Sequence, residues 1–435
     1  MASKWSHSPL STQSQLGDIG FDYRDLDHAP ATSQGTFLKG SKEGVEPLEE
    51  YQEGGYHPVH LGDVLGPSDR YRAIHKLGHG GFGTVWLCRD SVETRYVALK
   101  VVASDLKSDE ILDFSLAELD QSMPGAQFIA TPLDSFSVYG PNGTHQCLTL
   151  PPLGPCVSPR LRMILEDPAA VLRKFAHQTT QALAFLHKNQ ICHGDFRPSN
   201  ILVKLGNLDH LSEDELLSLI GHPEEVRVQT ESGEELPASS PRYLVQPADI
   251  SRLGNEFLTE EICVIDFGES FKFSSPPEDL GIPENYLPPE ILLEQPDMIG
   301  PACDLWALGC TLFEIREQLP LFYMIYDKDE LLAEMVRFFG KLPEDWWAKW
   351  EAREEYFDAN GKWLREEDWS LEAALSKPIE IFESGEKYKE GPIKSLQTPE
   401  AEQKLMADLL YRLFKYGPKE RISAEDVLGH EWFRL

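Results

Sequence analysis

Residues 193–203 read HGDFRPSNILV, a short polar stretch that leads directly into an apolar run. Asp195 has a carboxylate that could accept the proton of an attacking hydroxyl group. Asn200, five positions later, offers a neutral oxygen to a metal ion. The stretch therefore predicts a loop that brings a proton acceptor and a metal ligand together just before a strand at 201–203.

A second carboxylate follows another apolar run. Residues 264–268 read VIDFG, which places Asp266 at the end of a predicted strand. A carboxylate in that position can hold a divalent cation such as Mg²⁺ that bridges two phosphate groups. The three residues DFG at 266–268 can occur by chance, so this motif is informative only together with the other motifs.

Residues 78–85 read GHGGFGTV and lie between two predicted strands. Because glycine has no side chain, Gly78, Gly80 and Gly83 let backbone amides approach phosphate oxygens. A tight hairpin would also explain the glycines, whereas a dinucleotide-binding fold requires a helix after them. A strand follows here, which favours a nucleotide-binding loop of the kinase kind. The apolar residues expected to line the nucleotide are Leu77, Val85 and Ala98.

Lys100 follows the apolar residues 97–99 in a predicted strand at 96–102. A buried ammonium group needs a partner, and phosphates together with a helical glutamate would supply it. Residues 107–121 have helical spacing, so Glu118 is the favoured partner and Glu110 the alternative. A lysine that extends its ammonium group to solvent is the other interpretation.

These motifs stand in the order of a eukaryotic protein kinase. The late motifs agree, since PPE at 288–290 and DLWALG at 304–309 precede Arg421, which would pair with Glu290. The order predicts an α+β bilobal kinase fold with a β-rich N-lobe at 49–154 and a mainly helical C-lobe at 155–435. Adenine would lie against the hinge at 150–154. The backbone carbonyl of Pro151 and both backbone groups of Leu153 would bind it, because proline has no N–H to donate. A sugar or drug phosphotransferase of related fold is disfavoured by the late motifs.

Three further segments resemble the serine/arginine-rich protein kinase family, in a divergent form common in fungi. The lead-in at 50–63 reads EYQEGGYHPVHLGD, and residues 329–341 resemble the start of a helical insert at about 324–400. Asn200 and Asp266 lie 66 positions apart, which leaves an acidic spacer at 204–260 where a typical kinase needs about a dozen residues.

The resemblance implies phosphoryl transfer from ATP and Mg²⁺ to serines in arginine/serine-rich or other basic segments, such as those of splicing factors. It assigns catalysis to Asp195, Lys100, Glu118 and Arg197, and metal binding to Asn200 and Asp266. It also implies activity without activation-loop phosphorylation. Gly194 agrees, because the arginine usual at that position pairs with a phosphorylated loop and glycine cannot.

The chain departs from the family on the substrate side. Arg197 replaces a lysine, Pro283 stands near the place of a threonine that contacts the catalytic aspartate, and Arg337 stands where an acid is expected. Residues 282–287 read IPENYL and lack the arginines that the family uses to receive its substrate. A catalytically weak kinase-fold scaffold that binds ATP and a protein partner is therefore the alternative.

The composition limits the partners and the location. The net charge of −32 argues against nucleic acid and anionic lipid, and no apolar run is long enough to suggest a membrane span. A monomer in the cytoplasm or nucleus is expected, with a disordered tail over residues 1–48. The acidic stretch 213–235 is interpreted as a solvated loop, with contact to a basic partner as the alternative. The tryptophan cluster is interpreted as core of the insert and comprises Trp346, Trp347, Trp350, Trp363 and Trp369.

Overall fold

A computed structural model gives the architecture. It describes residues 32–39, 44–106, 113–159, 161, 165, 168–325, 327–358, 360–364, 370–381 and 394–435. The predicted tail at 1–31 lies outside these residues.

The first lobe is built on a six-stranded antiparallel sheet. Across the sheet its strands follow the order 64–65, 71–80, 83–90, 95–102, 143–150 and 134–140. Alternate residues of its strands face opposite sides, so one side packs through Tyr71, Trp86 and Leu99 and the other through Leu87 and Tyr96. The strands of this part of the chain are β1 Thr36–Lys39, β2 Val64–Leu65, β3 Tyr71–Gly80, β4 Gly83–Asp90, β5 Arg95–Val102, β6 Asp134–Gly140 and β7 Gly143–Leu150, with helix α1 at Asp113–Leu116.

The second lobe is mainly helical, which confirms the predicted bilobal α+β fold. Its helices are α2 Pro168–Lys188, α3 Glu213–Ile220, α4 Pro289–Leu292, α5 Pro301–Glu317, α6 Lys328–Phe339, α7 Glu344–Lys349, α8 Arg353–Tyr356, α9 Leu371–Ser376, α10 Glu400–Leu413 and α11 Ala424–Val427. Its strands are β8 Leu153–Cys156, β9 Ile191–Cys192, β10 Ile201–Leu205, β11 Glu225–Thr230, β12 Tyr243–Val245, β13 Leu258–Val264, β14 Phe271–Lys272, β15 Ile379–Ile381 and β16 Lys394–Leu396. Among the helices described, none combines the length and the apolar character needed to cross a bilayer.

Helix α5 forms the centre of the second lobe. Every residue from Cys303 to Glu317 is buried, as expected for a helix surrounded by others. Trp306 packs edge-on against Phe414 at 4.8 Å between ring centroids. The predicted ion pair between Glu290 and Arg421 lies beside it, fully buried, with two hydrogen bonds of 2.6 Å.

The acidic spacer is largely folded. The interpretation of 213–235 as a solvated loop is wrong for the helix at 213–220 and the strand at 225–230, whereas residues 231–235 are an exposed turn and loop. Ser212 and Glu215 form a capping box at the start of α3. Asp214 and Glu215 are exposed and Glu213 pairs with Arg72 of β3, while Leu216 and Ile220 pack on the first lobe beside Leu87. Burial of this apolar face explains why the segment is helical.

The spacer also organises part of the predicted tail. Strand β1 pairs with β11, which pairs with β12, so residues 36–39 belong to a three-stranded sheet with the spacer. Glu46 is buried as well. The prediction of disorder up to residue 48 is therefore wrong for residues 36–39 and 44–48.

The insert after α5 has a core of aromatic residues. Trp346, Trp347 and Trp350 are buried, which confirms the core interpretation for these three, whereas Trp369 lies outside the described residues. Trp363 is partly buried and carries the guanidinium of Arg337 over its ring at 4.5 Å.

Candidate active site

The predicted catalytic loop, residues 193–200, is fixed by a buried carboxylate of helix α5. Asp304 Oδ2 accepts a hydrogen bond of 2.8 Å from the backbone N–H of His193, and its Oδ1 accepts one of 3.1 Å from Gly194. The ring of His193 donates through Nε2 to the carbonyl of Ile265 at 3.1 Å. The loop is therefore attached both to the central helix and to the strand that precedes Asp266.

Both carboxylate oxygens of Asp195 are engaged by neighbours on the same loop. Arg197 Nε donates to Oδ1 at 2.8 Å, and Asn200 Nδ2 donates to Oδ2 at 2.8 Å. Charge-assisted hydrogen bonds of this kind fix the orientation of a carboxylate. Each oxygen keeps a further lone pair for the hydroxyl of a substrate.

The adjacent ends of β10 and β13 bring the two predicted metal ligands together. Ile201 pairs with Val264 across these strands, and the backbone N–H of Ile265 donates to the carbonyl of Asn200 at 2.9 Å. Asp266 has a positive φ of 64°, an uncommon conformation for a residue other than glycine. Such backbone strain is typical of functional sites.

The residues fit a small divalent cation. Because Asn200 uses its Nδ2 toward Asp195, its Oδ1 is left as a neutral oxygen ligand. The Asp266 side chain is 39% exposed and can be reached by a ligand. Two oxygen ligands supplemented by phosphates suit a metal that keeps most of its coordination for substrate and water.

Lys100 reaches the same site from the first lobe. Its Nζ lies 3.4 Å from Asp266 Oδ1, although the two residues are separated by 166 positions. The lysine side chain is largely buried, so its ammonium group faces the cleft rather than bulk solvent. The alternative of a lysine extended to solvent is not what the structure contains.

The glycine loop is the hairpin between β3 and β4, where Gly80 faces Gly83. Gly83 has a φ of 145°, and a Cβ there would lie 2.1 Å from the carbonyl oxygen of Val101. Phe82, at the tip, lies against Gly268, on which a Cβ would come within 2.3 Å of the ring. The loop is therefore closed over the residues that follow Asp266.

The predicted nucleotide-lining residues surround one cleft. Ala98 pairs with Leu150, the last residue of β7, so β5 lies beside the strand that leads into the hinge region. Leu77 and Val85 come from β3 and β4 on either side of the glycine loop, where Gly78 is paired with Val85. Pro151 and Leu153 follow Leu150, and Leu153 begins β8.

Comparison with known proteins agrees with this geometry. The protein kinase domain model matches residues 71–212 and 253–433, which excludes most of the spacer. The chain belongs to the protein kinase family. It is 28% identical to the serine/threonine-protein kinase SRPK of Physarum polycephalum over 414 residues, 89% of this chain and 91% of that protein. A serine/threonine protein kinase of Aspergillus fumigatus is 26% identical over 93% of this chain and 94% of that protein.

A shorter match points the same way. The human SRSF protein kinase 3 is 37% identical over 190 residues, 41% of this chain and 32% of that protein. The protein is thus a serine/threonine protein kinase with SRPK-named relatives, and its domain implies the use of ATP and a divalent metal.

One site prediction for this kinase is wrong in its structure. Helix α1 ends at Leu116, and Glu118 is exposed in the turn that follows. At the end of the helix the carbonyl oxygen of Leu116 accepts from the backbone N–H of Leu119 at 3.3 Å and from the Gln121 side chain at 3.0 Å. An exposed carboxylate in a turn does not provide the buried partner expected for Lys100. The alternative partner, Glu110, lies outside the described residues.

The segment at 282–287, which is expected to face the protein substrate, is held by a buried acid. Pro283 precedes the 3-10 turn Glu284–Tyr286, and the Tyr286 hydroxyl donates to Glu314 Oε2 at 2.5 Å. Burial raises the pKa of Glu314 above its ordinary value. The tyrosine and glutamate side chains make this contact directly.

Sequence reasoning missed three residues that shape the site. Asp304 was interpreted only as part of a helical signature, yet it holds the catalytic loop. Glu314 and Tyr56 were not singled out, although Tyr56 donates to the carbonyl oxygen of Gly80 at 2.6 Å. A polar residue inside an otherwise apolar helix was the available signal for Glu314, because buried acids need partners. No local signal links Tyr56 to the glycine loop.

Proposed function

We propose that this kinase transfers the γ-phosphoryl group of magnesium-bound ATP to serine hydroxyls in basic, arginine/serine-rich protein segments. The observation that carries the proposal is the convergence of Lys100, Asp195, Asn200 and Asp266 in one cleft under the glycine loop. Magnesium would be held by Asn200 and Asp266 and, when bound, would neutralise charge on the phosphates.

The residues of the chain have separate roles in this reaction. The serine oxygen forms a bond to the γ-phosphorus while the bond from that phosphorus to the oxygen bridging the β-phosphate breaks, which releases ADP. Asp195 orients the hydroxyl group and takes its proton. Lys100 orients the phosphates, and Arg197 lies beside Asp195, where its guanidinium can stabilise the charge of the transferring group.

Preference for a basic substrate is supported by charge. The chain carries a net charge of −32, which attracts a basic segment over long range. Arg337 does not oppose this attraction strongly, because it is paired with Glu334 and packed on Trp363. The names of the relatives, SRPK and SRSF protein kinase 3, support the arginine/serine-rich class in particular.

Activity without loop phosphorylation is also part of the proposal. Gly194 has a φ of 81°, and a Cβ at this position would lie 2.1 Å from the carbonyl oxygen of Glu269. The arginine that reads a phosphorylated loop in other kinases is thus absent, and any side chain there is obstructed. Asp304 and the pair of Tyr286 with Glu314 order the neighbouring segments instead.

Three matched peptides test the substrate class. The purified chain is given labelled ATP, Mg²⁺ and serine repeats that alternate with arginine, lysine or alanine. We expect the highest kcat/KM for arginine, a lower value for lysine and the lowest for alanine. Equal values for all three would refute the arginine preference, and nucleotide binding without transfer to any peptide would favour the scaffold alternative.

A further inference from the structure

Residues 44–49 and the lead-in at 50–63 contact the glycine loop and its base at two points. Glu46 and Lys76 form a fully buried ion pair at the base of the loop. The Tyr56 hydroxyl donates to the carbonyl oxygen of Gly80, at the tip of the loop, at 2.6 Å.

The lead-in is itself firmly attached to the first lobe. Tyr56 is 2% exposed and packs edge-on against Tyr51, whose hydroxyl donates to Glu46. The carbonyl oxygen of Tyr56 accepts from Asn142 Nδ2 at 2.6 Å. The carbonyl of Gly55, the preceding residue, accepts from the backbone N–H of Ser104 at 3.1 Å. Tyr56 therefore holds Gly80 from a rigid support.

The glycine loop is thereby held from two directions. Phe82 lies against Gly268 inside the cleft, and its carbonyl oxygen accepts from the backbone N–H of Ala103 at 3.0 Å. Tyr51 and Tyr56 of the lead-in belong to the same apolar cluster as Ala103. A loop rich in glycine has many accessible conformations, and each attachment reduces their number before the nucleotide arrives.

We propose that Tyr56 is a positioning residue for ATP, and that the lead-in pre-organises the glycine loop over the phosphates. The hydroxyl of Tyr56 does not touch the nucleotide and acts through the backbone of Gly80. Since the loop binds phosphates and the hinge binds adenine, Tyr56 should affect the affinity for phosphate groups and leave the affinity for adenosine unchanged. A contribution to folding alone would not distinguish these two ligands.

Tyr56→Phe removes only the hydroxyl, and Tyr71→Phe is the matched control. Tyr71 is also fully buried, lies at the opposite end of β3 and donates to Asp134 Oδ2 at 2.8 Å. Titration calorimetry of the full chain would use magnesium with a non-hydrolysable ATP analogue, and separately adenosine. Thermal unfolding of both variants reports any general loss of stability.

We expect Tyr56→Phe to raise the Kd of the ATP analogue about 3- to 10-fold, the effect of losing one hydrogen bond. Its Kd for adenosine should stay within about twofold of the wild-type value, a change small beside a lost hydrogen bond. Tyr71→Phe should leave both constants unchanged. The inference is overturned if Tyr56→Phe binds the analogue as the wild type does, or weakens analogue and adenosine by the same factor. Equal loss of analogue binding in Tyr71→Phe would also overturn it. Because no peptide is needed, these outcomes do not depend on the proposed substrate.

Discussion

Arg197 Nε donates a hydrogen bond of 2.8 Å to Oδ1 of Asp195, so the cation proposed to stabilise the transferring phosphoryl group contacts the proposed base directly. The two side chains are partly shielded from solvent, which strengthens their interaction. This contact gives the arginine a place that a lysine holds in the family that the sequence resembles. In the proposed reaction Asp195 takes the proton and Arg197 stabilises the charge of the transferring group.

Replacement of Arg197 tests its proposed role in stabilising charge. We expect Arg197→Ala to lower kcat about 100-fold, since one charged donor at the transferring group is lost. Arg197→Lys should retain most of the rate because the charge remains. Steady-state kinetics with a serine peptide measure both. A lysine variant as slow as the alanine variant would show that the charge alone is insufficient.

Asp304 should matter for rate and stability together. In Asp304→Asn one carboxylate oxygen becomes an amide donor, so the backbone N–H of either His193 or Gly194 loses its acceptor. We expect kcat to fall at least 10-fold, as usual when catalytic groups are misplaced, and the thermal midpoint to drop. The exposed Asp297→Asn is the control and should change neither. Wild-type kinetics in Asp304→Asn would contradict its role in holding the loop.

Removing one member of the buried pair of Glu290 and Arg421 should destabilise the fold more than replacing both members with apolar residues. Glu290→Gln leaves an uncompensated guanidinium, so we expect a loss of about 3–5 kcal/mol in unfolding free energy. The double variant Glu290→Met with Arg421→Leu should lose less, because no lone charge remains buried. Urea unfolding compares them. A double variant less stable than either single variant would contradict this explanation.

His57 makes stability depend on pH. Burial, with the neighbouring His145, lowers the pKa of His57 to about 4. Between pH 6.5 and 4 the unfolded chain therefore binds a proton that the folded chain does not, so stability falls as the pH is lowered through this window. The fall attributable to His57 is up to about 3 kcal/mol.

Two glutamine variants isolate this effect. His57→Gln should show a shallower loss of stability between pH 6.5 and 4, because the titrating group is gone. His222 is exposed, and His222→Gln should keep the wild-type slope. Unfolding free energies at several pH values give the slopes. An unchanged slope in His57→Gln would contradict the assignment.

The sequence predicted the cleft well because its chemistry is local. Asp195 and Asn200 are five residues apart on one loop, and Asp266 follows an apolar strand, so residue type and spacing carry the information. The buried pair of Glu290 and Arg421 was predicted in the same way, from motifs and their order.

The errors concern partners that are distant along the chain. The spacer contains the apolar residues Leu216 and Ile220, but their partner surface lies on the first lobe, so its acidic composition dominated the interpretation. Strand β1 pairs with β11, whose residues lie about 190 positions away, and no local pattern reveals such a partner. The Glu118 prediction was wrong for another reason, because periodicity extends the helix to residue 121 whereas the helix ends at Leu116.

The most direct test of the central claim is phosphotransfer by the purified chain and by Asp195→Ala. Labelled ATP, Mg²⁺ and an arginine/serine peptide are used, and binding of a non-hydrolysable ATP analogue is measured in parallel. We expect transfer by the wild type and a loss of about 10²–10⁴-fold in Asp195→Ala, with analogue affinity retained. No transfer by the wild type to any serine or threonine peptide, or full activity in Asp195→Ala, would contradict the account.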